Sequence, residues 1–224
     1  MVEVKESNFH GIFWVDKRLA TINSIPDYRP FGEEIIKINE KEFRIWDPRR
    51  SKLATAILKD IKYVPLKEGI KVLYLGAAHG MTPSYIANII GNSGTIYAVE
   101  FSERCFNELL PICKKYKNIV PILADARKPE TYYWIEKVDV VYCDIAQPDE
   151  TEIAIRNCKE FLKPNGYLLL AIKSRSIDVT KSPKKIYHEE IKKLKKAEFE
   201  IIDWKTLDPY ERAHAFIVAK FGKN

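Results

Sequence analysis

Two glycines and a glutamate have the spacing of a site for a nucleoside cofactor. A turn of the form G-x-x-x-G, from Gly76 to Gly80, follows the apolar run 72–75. Gly76 can take a tight bend between a strand and a helix, and Gly80 would let a ligand approach the backbone closely. Glu100 ends the next apolar run, where its carboxylate can accept hydrogen bonds from both hydroxyls of a ribose. The turn and the acid together predict a cofactor that contains a nucleoside.

The residue between these glycines indicates which cofactor it is. Cofactors with a pyrophosphate usually require G-x-G-x-x-G, whose second glycine makes room for the phosphates, whereas this chain has Ala78 there. S-adenosylmethionine has no phosphate, and Asp144, at the end of the fourth strand, can receive its amino-acid end. Asp125 and Ala126 follow the third strand, where they would meet the adenine. Each acid alone could instead cap a helix, but the ordered set favours S-adenosylmethionine.

Lys173 is the candidate for proton transfer. Methyl transfer from a sulfonium mainly requires an acceptor that is well positioned and loses its proton. The chain has neither the Asn-Pro-Pro-aromatic loop of amino-nitrogen methylases nor the Pro-Cys nucleophile of pyrimidine-carbon methylases. Lys173 follows an apolar run at the end of the fifth strand, and a partly desolvated amine near another cation could take a proton from an alcohol. Alternatively, Lys173 extends to the rim only to pair with Asp144.

Strands and helices alternate from residue 71 onward, as they must to position these residues. The predicted strands are 72–75, 95–99, 119–123, 138–143, 167–172, 199–204 and 215–221. One predicted helix begins at about residue 82, and the next runs through residue 109. Further helices are predicted around residue 132, over 150–162 and over a lysine-rich stretch, 183–197. Nearly unbroken apolar strands indicate helices on both faces of the sheet. The pattern predicts an α/β fold with a Rossmann-like, doubly wound sheet of seven strands and an antiparallel pair at one edge.

The first part of the chain has a different pattern. Short β-leaning pieces at 11–15, 19–22 and 43–46 are separated by Asp, Asn, Pro and Gly. Residues 52–62 have apolar side chains at three- and four-residue spacing, which predicts an amphipathic helix. We therefore predict a small amino-terminal β domain over 1–54 and a methyltransferase domain over 55–224.

Composition limits the other possibilities. The 224 residues are 46% hydrophobic and 30% charged, a globular balance without an apolar run that could span a bilayer or serve as a secretory signal. The four cysteines have no C-x-x-C pair and no histidines at ligand spacing, so no metal is predicted. The net charge of +6 suits a polyanionic partner but does not by itself select one. We expect a cytoplasmic protein without a membrane partner.

Taken together, these motifs resemble those of fibrillarin, the methyltransferase of box C/D guide-RNA particles, in its archaeal form. The matching segments run in the family order over nearly the whole chain. They are Tyr74-Leu75-Gly76-Ala77-Ala78, Tyr97-Ala98-Val99-Glu100-Phe101-Ser102, Asp125-Ala126-Arg127, Asp144-Ile145-Ala146-Gln147-Pro148-Asp149, Ile172-Lys173 and Pro209-Tyr210-Glu211-Arg212-Ala213-His214.

The resemblance implies S-adenosylmethionine-dependent 2′-O-methylation of ribose in rRNA, and by extension tRNA. It places the family's catalytic set on Lys52, Asp144, Lys173 and His214, in which Lys173 accepts or orients the hydroxyl proton and Asp144 holds Lys173. Without the family, Lys52 would be a solvated lysine and His214 a capping histidine. The implied cofactor-binding residues are Gly76, Ala77, Gly80, Met81, Thr82, Glu100, Phe101, Asp125, Ala126, Asp144, Ile145, Ala146 and Gln147.

The resemblance also implies partners, because 2′-hydroxyls occur throughout RNA and this chain has no recognisable RNA-binding module. The implied partners are a Nop-family scaffold protein, a kink-turn-binding protein, a box C/D guide RNA and the target RNA. The lysine cluster of the helix at 183–197 could touch RNA or be a solvated helix face.

One departure from the family leaves two rival functions open. The usual turn continues Ala-Ser-Gly-Thr-Thr, but this chain has His79 and Met81, so a hydroxyl near the cofactor is missing. The chain could therefore be a structural subunit of an RNA particle with a weakened methylase site. A nicotinamide-dependent oxidoreductase would fit the turn and Glu100 but would leave Asp144 and Lys173 unexplained.

Overall fold

The amino-terminal segment forms an antiparallel sheet in the computed structural model, which describes residues 2–222. Its strands are β1 (Val4–Glu6), β2 (Ile12–Val15), β3 (Arg18–Ile22), β4 (Ile35–Ile38) and β5 (Lys41–Ile45), in the order β1-β2-β3-β5-β4. The three predicted strands are present. β1 and β4 were not predicted, because they are only three and four residues long and each is interrupted by a lysine.

A capped turn leads from this sheet into the first helix, α1 (Lys52–Leu58). Ser51 caps α1, and its hydroxyl accepts a hydrogen bond from the Ala54 amide at 3.5 Å. The predicted helix 52–62 is too long, because Asp60 takes a left-handed backbone conformation with φ 57° and so stops the helix. The proposed domain boundary at residue 54 lies inside α1 and remains a prediction.

The second sheet has seven strands in the order β11-β12-β10-β9-β6-β7-β8, which confirms the predicted doubly wound arrangement. β12 runs antiparallel between β10 and β11, and the other pairs are parallel. The strands are β6 (Lys71–Leu75), β7 (Thr95–Glu100), β8 (Ile119–Leu123), β9 (Val138–Cys143), β10 (Leu162–Lys173), β11 (Phe199–Thr206) and β12 (His214–Phe221).

Helices cover both faces of this sheet. Side chains alternate between the two faces along each strand, so each strand packs against helices on both sides. The remaining helices are α2 (Met81–Ile90), α3 (Glu103–Lys115), α4 (Glu150–Phe161), α5 (Ser174–Ile177) and α6 (Pro183–Lys196). Val72 and Tyr74 of β6 pack with α1, α2 and α3, whereas Leu73 and Leu75 pack with α4 and α6. The predicted helix around Tyr132 is a single 3₁₀ turn. No helix within residues 2–222 is long and apolar enough to cross a membrane.

A buried arginine joins the two sheets. Arg44 of β5 pairs with Glu33, donates to the Tyr116 hydroxyl at 3.1 Å and to the Ser84 hydroxyl at 3.0 Å, and lies over the ring of Tyr85, 3.9 Å from its centroid. Because Ser84 and Tyr85 belong to α2, this cluster fixes the amino-terminal sheet against the larger one.

Candidate functional site

A cavity of about 330 Å³ opens at the carboxyl ends of β6, β7, β8 and β9, which is where doubly wound sheets bind ligands. Its wall is largely apolar but contains three carboxylates. The lining residues are Gly76, Ala78, Val99, Glu100, Phe101, Ser102, Cys105, Ala124, Asp125, Ala126, Arg127, Asp144, Ile145, Ala146, Gln147 and Ile153.

Gly76 cannot be replaced without moving the floor of this cavity. It has φ 82°, and a Cβ atom at this position would lie 2.4 Å from the Asp144 carbonyl oxygen. The amides of Gly76 and Ala77 both donate to the Val99 carbonyl, at 2.9 and 3.0 Å. The turn is therefore pinned between β7 and the residue that follows β9.

Gly80, another of the predicted cofactor residues, packs against α3. It is buried outside the cavity lining, and a Cβ atom there would lie 2.8 Å from Cδ1 of Leu109. The space that the missing side chain leaves is therefore filled by α3 and not by a ligand. Gly80 is the N-cap residue of α2 and has φ 89°, a left-handed conformation that glycine takes without strain.

Three more of the predicted cofactor residues, Ala77, Met81 and Thr82, are also absent from the cavity wall. All three are buried in the protein interior, and their part in cofactor binding stays a prediction. The Thr82 hydroxyl is 3.0 Å from that of Ser51 and so links α2 to the cap of α1. The remaining predicted residues, Gly76, Glu100, Phe101, Asp125, Ala126, Asp144, Ile145, Ala146 and Gln147, do line the cavity.

His79, one of the two unusual turn residues, points away from the cavity. Its ring makes an edge contact with Phe31 of the amino-terminal segment, with 5.3 Å between centroids. Met81 is in the core that α2 shares with the sheet. The two residues that differ from the usual family turn, His79 and Met81, therefore lie outside the cavity lining.

Glu100 is fixed by the backbone on both sides of the cavity. One carboxylate oxygen accepts a hydrogen bond from the Ala78 amide and the other from the Ser102 amide, each at 2.8 Å. A carboxylate has about four acceptor positions, so two remain for hydroxyl donors of a ligand. Sequence reasoning missed Ala78 and Ser102 as lining residues, although both flank predicted site residues.

Asp144 pairs with Lys52 and not, as predicted, with Lys173. The Lys52 ammonium lies 2.8 and 3.1 Å from the two Asp144 carboxylate oxygens. Burial lowers the pKa of Lys52, but the charge of Asp144 and the hydrogen bond outweigh it, so the pKa lies above its usual value. The different pairing follows from the position of α1. Ser51 caps this helix at a point from which the Lys52 side chain reaches Asp144, the residue that follows β9.

Lys173 and His214 are neighbours at the same sheet edge. They are opposite each other in the antiparallel pair of β10 and β12, and the Lys173 side chain is exposed. Burial lowers the pKa of His214, and the nearby Lys52 ammonium lowers it further. His214 Nδ1 lies 2.8 Å from the Arg212 carbonyl oxygen, so this nitrogen carries the proton of the neutral ring and Nε2 remains an acceptor. The four predicted catalytic residues thus gather at adjacent strand ends.

The fold and this cavity define the chain as a doubly wound α/β protein with a nucleoside-type site at the carboxyl ends of its parallel strands. The family model described as "Fibrillarin" matches residues 3–223. A relative named "Fibrillarin-like rRNA/tRNA 2'-O-methyltransferase", from Methanopyrus kandleri, is 46% identical over an alignment of 230 positions that covers 99% of this chain and 99% of that one. The chain therefore belongs to the fibrillarin family, as its motifs predicted.

Two solved structures support the same assignment. Aeropyrum pernix fibrillarin, solved with natively bound S-adenosyl-L-methionine, is 46% identical with a TM-score of 0.88, covering 98% of this chain and 100% of that one. The fibrillarin of a fibrillarin/Nop5p complex is 37% identical with a TM-score of 0.89, covering 97% and 100%. The predicted α/β fold with its amino-terminal β-sheet is confirmed.

Proposed function

We propose that this protein is an S-adenosylmethionine-dependent 2′-O-ribose methyltransferase that acts on rRNA and tRNA. The observation that carries the proposal is the position of Asp144, which lines the cofactor cavity and also holds Lys52. One residue thus joins the cavity to the edge where Lys173 and His214 lie. The names of the relatives and the cofactor of the Aeropyrum structure support this reading.

The cavity fits S-adenosylmethionine better than it fits a cofactor with phosphates. Arg127 is the cation in the wall, and its guanidinium is already engaged by Gln147 and lies 3.7 Å from Asp149 and 4.0 Å from Asp125. Phosphates would also face the carboxylates of Glu100 and Asp144. A nucleoside with a cationic sulfonium suits such a wall, so we reject the nicotinamide alternative.

The chain's own residues divide the remaining work. S-adenosylmethionine, when bound, supplies a methyl group that is already electrophilic. Lys173 accepts or orients the proton of the ribose 2′-hydroxyl, and the neutral His214 offers Nε2 as a hydrogen-bond acceptor beside it. Lys52 neutralises Asp144 in part and remains a cation near the acceptor phosphates.

The alternative of a structural subunit with a weakened methylase site rested on His79 and Met81. Neither residue lines the cavity, and Glu100 and Asp144 keep their positions in its wall. We therefore favour an active enzyme.

Partners are part of the proposal. By analogy with the relative solved in a fibrillarin/Nop5p complex, we propose a Nop-family scaffold protein as the direct partner. A kink-turn-binding protein and a box C/D guide RNA would complete the particle and choose the target. The expected cytoplasmic location stays a prediction.

Reconstitution tests this proposal. The protein is combined with the scaffold, the kink-turn protein and a guide RNA, and methyl transfer from labelled S-adenosylmethionine to a paired target is measured. We expect label at the guided nucleotide and none when that nucleotide is 2′-deoxy. Equal labelling of both targets would contradict the ribose assignment.

A further inference from the structure

Glu150 is a buried acid beside the catalytic edge that the proposed mechanism does not use. It is the first residue of α4 and has no solvent exposure. One carboxyl oxygen accepts a hydrogen bond from the Lys173 backbone amide at 3.0 Å. The other oxygen is buried and has no hydrogen-bond partner among residues 2–222.

The end of β10 depends on this hydrogen bond. On one side β10 pairs with β12, where Lys173 lies opposite His214. On the other side the last paired residue of β9 is Cys143, opposite Leu170, so Lys173 extends beyond its neighbour. Its amide therefore has no strand partner there, and an unpaired buried amide is costly. Glu150 supplies the missing acceptor.

The surroundings of Glu150 do not stabilise a negative charge. Lys52 is engaged by Asp144, and the nearby Glu190 of α6 has its own partner, Lys193, at 2.9 Å. Cys143 packs below Glu150, with its sulfur 4.0 Å from the Glu150 carbonyl oxygen. An ionised carboxylate would thus lie near the acids Asp144 and Glu190 without a cation of its own.

We propose that Glu150 is a positioning residue: an uncharged carboxylic acid that fixes the backbone of Lys173 and so aims its side chain at the acceptor ribose. The inference rests on the proposed function, because it gives Lys173 the role in proton transfer. Burial, and then the nearby charges of Asp144 and Glu190, raise the pKa of Glu150 to about 9, which agrees with an uncharged acid at neutral pH.

The lack of charge matters for the chemistry. An anionic Glu150 would be a buried charge whose second oxygen has no partner among residues 2–222, which is costly. It would also repel Asp144 and weaken the fixed geometry of the edge. A neutral acid holds the same amide without either effect.

The test compares Glu150→Gln, Glu150→Ala and Glu152→Ala in the reconstituted particle. Glutamine keeps an oxygen for the Lys173 amide and cannot ionise, whereas alanine keeps neither property. Glu152 is exposed on the same helix and pairs with Lys193 at 2.8 Å, so its variant is a matched control. Single-turnover methyl transfer is measured from pH 6.5 to 10, and calorimetry measures S-adenosylmethionine binding.

At neutral pH we expect Glu150→Ala to slow methyl transfer by roughly tenfold to a hundredfold, because misplacement of a catalytic group by about 1 Å costs that much. Glu150→Gln should restore most of the rate, and Glu152→Ala should match the wild type. Cofactor affinity should be unchanged in all three, since Glu150 does not line the cavity. As pH passes about 9, the wild-type rate should fall relative to that of Glu150→Gln.

Stability gives a readout that does not require activity. A folded-state pKa raised from 4.5 to about 9 gives stability that is fully present below pH 4.5 and is lost as pH rises through about 9. The urea midpoint of the wild type should therefore fall relative to that of Glu150→Gln as the pH rises from 4.5 to about 9.

Two results would overturn the positioning role: a wild-type to glutamine rate ratio that does not change with pH, or a Glu150→Ala rate equal to that of the wild type. If alanine prevents folding, the ratio to glutamine still decides. A wild-type particle that transfers no methyl group would instead refute the proposed function itself.

Discussion

Two ion pairs lie near the junction of the amino-terminal part and the larger sheet, and they differ in how far they are exposed to solvent. Arg44 and Glu33 are sealed, with side-chain exposures of 0% and 5%. Lys52 and Asp144 keep 22% each. Arg44 reaches the helices of the larger sheet through Tyr116 and Ser84, whereas Lys52 pairs directly with Asp144, and only the second pair borders the cavity.

This difference indicates a structural role for the Arg44–Glu33 pair and a functional role for the Lys52–Asp144 pair. Arg44 directs four of its five N–H donors to Glu33, Tyr116 and Ser84, stacks on Tyr85 and is fully buried, so no ligand can reach it. Lys52 donates only to Asp144 and retains a path to solvent. A fully buried pair that is bound by its neighbours stabilises the fold, whereas a pair that is open to solvent can take part in chemistry.

Arg44→Met should have the largest effect on stability. It leaves Glu33 as an unpaired buried charge, which costs about 3–5 kcal/mol, and urea unfolding measures this loss. The matched control is Arg18→Met, since the exposed Arg18–Glu34 pair contributes at most about 1 kcal/mol. Equal losses in the two variants would show that Arg44 is not the link between the sheets.

Asp144→Asn should affect activity more than stability. The amide keeps the shape of the side chain but no longer balances Lys52, and we expect methyl transfer in the particle to fall by about a hundredfold. Its loss of stability should be smaller than that of Arg44→Met, because Lys52 can reach water. The opposite order of the two effects would reverse the roles that we assign to the pairs.

Gly76→Ala should weaken cofactor binding by roughly tenfold or more. The new Cβ would meet the Asp144 carbonyl at 2.4 Å, and the positive φ adds strain. Calorimetry with S-adenosylmethionine measures the effect. Binding at wild-type strength would mean that the turn can move without changing the cavity.

His79→Ser and Met81→Thr should have the smallest effect. Each restores the residue type of the usual family turn, yet neither position lines the cavity. We expect the dissociation constant of S-adenosylmethionine to change by less than about threefold, or roughly 0.6 kcal/mol. A tenfold gain in affinity would show that the turn in this chain is weakened after all.

The sequence predicted the elements better than it predicted the contacts between them. Periodicity placed the seven strands of the larger sheet, and the carboxyl ends of parallel strands placed Glu100, Asp125 and Asp144 in one cavity. The pairing of Lys52 with Asp144 joins residues 92 positions apart, and only the start of α1 at Ser51 determines it. No local pattern contains that information.

Glu150 shows the same limit. A glutamate at the start of a helix is normally expected to face solvent and the helix dipole. Here β9 ends before it could pair with Lys173 of β10. The Lys173 amide instead donates to the buried carboxyl group of Glu150. Such burial depends on where two strands end relative to each other, so sequence reasoning could not predict it.

The most direct test of the account is single-turnover methyl transfer by Lys173→Ala in the reconstituted particle, with Lys159→Ala as the control at an exposed lysine of α4. We predict that Lys173→Ala binds S-adenosylmethionine as tightly as the wild type, because Lys173 does not line the cavity, but transfers the methyl group at least about a hundredfold more slowly. Methyl transfer by Lys173→Ala at the rate of the wild type and of Lys159→Ala would contradict the account.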